Sequence, residues 1–63
     1  MRKKADLSRK EWYAALLFAH GATSNESANA LLERPSRVDH LVRTARLKLG
    51  AVSRSQVRDA LPI

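Results

Sequence analysis

Sixty-three residues, with no cysteine, suffice for one small domain and exclude disulfides and thiolate metal sites, a composition suited to a reducing cytoplasm. Twelve Lys and Arg against six Asp and Glu give a net charge of +6, which points to a polyanion or an acidic surface as partner. The longest apolar run, Trp12 to Ala19, falls well short of the roughly 20 residues that cross a bilayer, so no membrane association is expected.

In chain order, Met1-Arg2-Lys3-Lys4 could imitate the start of a signal peptide, but Asp6, Arg9, Lys10 and Glu11 interrupt the apolar stretch that should follow. Residues 1–6 read as a flexible basic arm and residues 7–63 as the domain. Ser8 and Glu11 have the spacing of a capping box, in which each side chain satisfies a backbone donor that the first helical turn leaves free. They open a first helix at about 8–20, with Trp12, Tyr13, Leu16, Leu17 and Phe18 as its apolar surface and Gly21 as its stop. His20 falls at the C-terminal end, where an imidazole favours the helix dipole. Thr23 and Glu26 open a second helix at about 24–32, with Ala28, Leu31 and Leu32 as its buried stripe.

Pro35 is tolerated in a first turn and can begin a third helix, with Ser36 and Asp39 as a weaker capping pair. Val38, Leu41, Val42, Ala45 and Leu49 recur at helical spacing as its core-facing stripe, and Gly50 ends it, giving a helix of about 35–49. Ser53 and Gln56 start a short fourth helix with Val57 and Leu61 facing inward before Pro62. No period-two alternation is present, so the expected fold is all-α with four helices.

The charge is uneven along this plan. Arg34, Arg37, Arg43, Arg46, Lys48, Arg54 and Arg58 lie in the second half against Asp39 and Asp59, whereas Glu11 to Glu33 holds no Lys or Arg. Two short helices joined tightly, the second with a basic outer face, describe a helix-turn-helix, whose second helix enters the major groove of DNA. On the third helix Ser36, Arg37, His40 and Arg43 lie off the apolar stripe near its start, with Arg46, Leu47 and Lys48 later. Arginine can bond guanine in two-pronged fashion, and His40 can serve a base or a phosphate. Asp39 can accept from cytosine, complement a helix N-terminus or orient Arg43 one turn on.

These residues resemble the LuxR-type helix-turn-helix family, the DNA-binding domain of many bacterial response and quorum-sensing regulators. The carriers are Leu7-Ser8-Arg9-Lys10-Glu11, then Gly21 with Thr23-Ser24-Asn25-Glu26 and Ala28, then Leu31, Pro35 and Val38, and finally Leu47-Lys48-Leu49-Gly50 with Ser53-Arg54-Ser55. They register without insertion from Leu7 to Val57. The sequence departs from the family at Ser27, Glu33, Arg34 and Arg37, and it has Leu41 where a histidine is common, with His40 displaced by one. The resemblance implies that Asp39, His40 and Arg43 face bases, and Arg37 completes the expected base-contacting set. It also implies phosphate contacts from Thr23, Ser24, Asn25, Lys48 and Arg54, to which Ser36 and Arg46 are added. In the family the fourth helix commonly forms the dimer contact, for which Leu47, Val57 and Leu61, with Ile63 in addition, are the candidates; the alternative is that this short helix only closes the core. In a dimer, two recognition helices about 34 Å apart would read a near-palindromic site.

The function expected is a stand-alone, bacterial or phage transcription regulator that binds double-stranded DNA, cytoplasmic and nucleoid-associated when bound. The alternative is a protein-interaction module of the same fold that binds RNA polymerase, a sigma factor or another regulator. No catalytic arrangement is suggested. His20 and His40 are far apart, no acid or imidazole cluster has metal spacing, and Trp12 and Tyr13 read as core or interface residues. An enzyme, a cofactor, a metal and a small-molecule ligand are therefore not expected.

Overall fold

The computed structural model describes residues 7–61, and the basic arm, Pro62 and Ile63 lie outside the described residues. Four helices follow one another: α1 Arg9–Ala19, α2 Ser24–Leu31, α3 Pro35–Leu49 and α4 Arg54–Ala60. No strand occurs among the described residues, and the all-α expectation holds.

The three predicted capping boxes are all formed reciprocally. The Glu11 amide donates to Ser8 Oγ at 3.2 Å while Glu11 Oε1 accepts from the Ser8 amide at 2.9 Å. Thr23 with Glu26, and Ser53 with Gln56, repeat the arrangement. Helix α3 starts otherwise. Its N-cap is Arg34, which gives no side-chain cap, and Pro35 occupies the first turn, where the lack of an N–H costs nothing. The expected Ser36–Asp39 pair therefore lies inside the helix and does not cap it, and Asp39 turns instead to α2.

Helices α1, α2 and α3 close in the same way. A left-handed residue ends each, and the next amide reaches back five residues: Ala22 to Leu17 O, Glu33 to Ala28 O and Ala51 to Arg46 O, at 3.0, 2.9 and 3.0 Å. The left-handed residues are Gly21, Leu32 and Gly50, with φ of 92°, 58° and 68°. A leucine thus stands where the other two closures have glycine. Leu32 was expected in the buried stripe of α2; it is 90% exposed, because the left-handed turn carries its side chain off the helix face. Ser27 and Ala28 are the residues α2 buries.

Helix α1 is the hub, packed against α2, α3 and α4, while α3 also meets α2 and α4. Close packing of helices favours small side chains, and α1 buries Ala14, Ala15 and Ala19, while α3 buries Val38, Leu41 and Ala45. Ala15, Ala19, Ala45, Ala51, Val57 and Leu61 form one cluster, with Trp12, Leu16, Phe18 and Leu49 packed around it. The Trp12 and Tyr13 rings meet edge-on at 5.2 Å, with Tyr13 partly in solvent. No helix among the described residues is long and apolar enough to cross a membrane.

Candidate nucleic-acid interface

Burial of Val38, Leu41 and Ala45 fixes how α3 is turned about its axis. Successive residues step by about 100°, so Ser36, His40, Arg43 and Leu47 form the row furthest from the core, and all four are exposed. Arg37, also exposed, flanks the row on one side, and Asp39 and Arg46 flank it on the other. Three residues, Leu32 to Arg34, connect α2 to α3, the short link of a helix-turn-helix.

Several side chains around this row are held. Ser24, in the first turn of α2, donates its hydroxyl to Asp39 Oδ1, which places a carboxylate at the positive N-terminus of α2. Lys48 Nζ lies 2.9 Å from Glu11 Oε1 and ties the end of α3 to the start of α1. Lys10 pairs with Glu33 and ties α1 to the turn before α3. Phe18 anchors two arginines, with the Arg54 guanidinium 4.4 Å and that of Arg46 5.6 Å from its ring centroid. Arg54 also donates to the carbonyl oxygens of Phe18 at 2.6 Å and Ala22 at 3.4 Å. Helix α1 has no basic residue in its last turn, so Arg54 of α4 brings the cation its C-terminus favours. The Arg46 Nε is buried and has no hydrogen-bond partner.

Two carboxyls, Glu11 and Glu33, are shifted by their surroundings. The Ser8 backbone N–H, followed by the Lys48 ammonium, holds the Glu11 carboxyl below the ordinary value, against the opposing effect of burial. Glu33 is lowered in the same sense, first by its hydrogen bond to Lys10 and further by the charges of Lys10 and Arg37.

The expected interface residues divide accordingly. Arg37, His40 and Arg43 stand exposed on the outer side of α3, with Ser36 at its start and Asn25 exposed on α2. Thr23 is engaged as the N-cap of α2, Ser24 with Asp39, and Arg46, Lys48 and Arg54 with Phe18 and Glu11. Val57 and Leu61, expected at a dimer contact, are 0% and 5% exposed and belong to the core of the protomer. Leu47 is 77% exposed, the one of those three that a second copy can reach.

A groove of about 560 Å³ runs beside α3, between the end of α1, the start of α2 and the start of α4. Phe18, Val38, Val42 and Ala51 supply apolar lining, with Arg43, Arg46 and Arg54 as its cations. Sequence reasoning gave no sign of it, because its walls come from segments distant in the chain. No group of three His, Asp or Glu residues among the described residues could hold a metal ion. Comparison with known proteins found no matching family model, no matching curated protein and no matching solved structure.

Proposed function

We propose that this chain is a sequence-specific DNA-binding transcription regulator that reads the major groove with α3. One observation carries the reading: Arg37, His40 and Arg43 are exposed together on the outer side of a helix fixed by its opposite stripe and linked to α2 by three residues. Arg43, near the middle of the outward row, is the side chain to bond a guanine edge, with Arg37 and His40 beside it. Asn25 and the first turn of α2 approach a phosphate, and the held cations Arg46, Lys48 and Arg54 add a positive field around the contact.

Selection of bound duplexes from a random DNA pool tests the reading. An enriched motif is expected, and Arg43→Ala weakens its binding by about 1–3 kcal/mol, roughly 5- to 150-fold. A near-palindromic motif signals a dimer and a single half-site a monomer. No enriched motif, or one indifferent to Arg43, overturns the proposal. The exposure of Leu47 and Val52, at 77% and 69%, favours a second reading, a module that docks on RNA polymerase, a sigma factor or another regulator. A preference for the selected duplex over an unselected one that survives added salt belongs to the first reading alone.

A further inference from the structure

The groove beside α3 has a chemistry that duplex DNA does not match. Its lining joins the apolar Phe18, Val42 and Ala51 to the guanidinium groups of Arg43, Arg46 and Arg54. Leu47 and Val52, also in the lining, are among the most exposed large apolar residues of the molecule. Phosphates satisfy the cations but leave the aliphatic surface wet. A partner that covers both must carry apolar side chains and carboxylates on one short segment. At about 560 Å³ the groove has room for a few side chains, and not for a folded domain.

The chain cannot supply that occupant from the described part of a second copy. Of the five acids among the described residues, Glu11, Glu26, Glu33 and Asp39 are each engaged within the protomer, by Ser8 and Lys48, by Thr23, by Lys10 and by Ser24 respectively, and exposed Asp59 on α4 is a single carboxylate against three guanidinium groups. A second copy also brings the same +6 charge against the same arginines. The complement therefore comes from a different, acidic molecule.

We infer that the groove between α3 and the starts of α2 and α4 docks an acidic amphipathic peptide segment of a partner protein, its apolar side chains against Phe18, Leu47 and Val52 and its carboxylates on Arg43, Arg46 and Arg54. A carboxylate that draws the Arg46 guanidinium outward supplies the acceptor its Nε lacks. Arg43 belongs both to the outward row of α3 and to the groove. If α3 reads DNA as proposed, segment and duplex exclude one another, and the partner acts as an antagonist of DNA binding.

The docking itself is measured without DNA, so it stands or fails independently of the DNA reading. The probe is a fluorescent helical peptide with Leu and Phe along one face and Glu along the other, titrated with the full chain and followed by anisotropy and amide NMR shifts. Saturable binding is expected, with shifts clustered at Ala22, Ser24, Leu47 and Val52. Leu47→Ser and Val52→Ser each weaken it about five- to tenfold with helical circular dichroism unchanged, as exposed sites allow. A peptide of the same composition in scrambled order binds at least tenfold more weakly. Equal binding of the scrambled peptide or of polyglutamate reduces the groove to a diffuse electrostatic surface and overturns the inference, as does the absence of saturable binding. Displacement of the bound peptide by an unselected duplex at low salt, with no effect of Leu47→Ser on peptide affinity, assigns the arginines to DNA alone and overturns it as well.

Discussion

The basic residues of this molecule fall into two regions that treat their charge in opposite ways. Around the C-terminal half of α3 and the start of α4, the cations are built into the structure: Lys48 on Glu11, Arg46 and Arg54 on Phe18, Arg54 also on the last carbonyls of α1. Along α3 from its first turn to its middle, Arg37, His40 and Arg43 project into solvent. In the first region the aliphatic stems and flat guanidinium groups enlarge a core short of large side chains. In the second the side chains stand in solvent. Composition counts these cations alike, yet they serve different links of the chain from sequence to function.

Substitutions can break this comparison, starting at the shared anchor. Phe18→Ala removes the platform of both held arginines and part of the core surround, and it lowers unfolding stability by about 2–3 kcal/mol, read by urea denaturation. This is below the roughly 3–5 kcal/mol of a core phenylalanine because the ring is only partly buried. Arg54→Ala costs about 1 kcal/mol through the lost ring and carbonyl contacts, whereas Arg43→Ala stays within about 0.5 kcal/mol of the parent. Equal costs for these two arginines would erase the distinction between held and projecting cations. Leu32→Gly acts in the opposite direction. It relieves a left-handed leucine that buries almost nothing, and a gain of about 0.5–1 kcal/mol is expected in thermal unfolding, with no change in either set of cations.

The smallest effect concerns Glu11→Gln, which keeps an acceptor for the Ser8 amide but removes the charge facing Lys48. A loss of about 0.5 kcal/mol is expected near neutral pH. The folded-state pKa of Glu11 lies below its ordinary value of 4.5, so its contribution is complete above 4.5 and fades as the pH falls from there through the folded value. The stability difference between parent and variant should therefore close in acid. A difference that persists unchanged well below pH 4 would assign the effect to packing and not to the ion pair.

Local chemistry was the legible part of this fold. Ser8 with Glu11, Thr23 with Glu26 and Ser53 with Gln56 announced three helix starts because a capping box is satisfied within four residues. The stripe from Val38 to Leu49 fixed the turn of α3 for the same reason, and with it the exposure of Arg37, His40 and Arg43. What remained hidden was long-range. Glu11 reads as a capping residue, and nothing near it announces Lys48. Arg54 and Phe18 are far apart in sequence, so their stacking, and the groove beside it, exist only once α4 has docked on α1. Val57 and Leu61 were read correctly as inward-facing, and their burial gives them to the core. Leu32 escaped because an apolar residue at the end of a stripe gives no sign of a left-handed backbone.

The alanines of α1 set the thermal behaviour of the molecule. With Ala14, Ala15 and Ala19 at the hub, Val38 and Val57 are the largest side chains that are fully buried. Few large side chains are fully buried in a chain of 63 residues, so the unfolding enthalpy of the domain is small and its melting transition broad. A shallow transition moves far for a modest input of free energy, about 4–8 °C per kcal/mol in domains of this size class. A ligand present at a hundredfold excess over its dissociation constant adds about 2.7 kcal/mol. A bound partner should thus raise the melting temperature by on the order of 10–20 °C, which makes heat a sensitive reporter of whatever occupies α3.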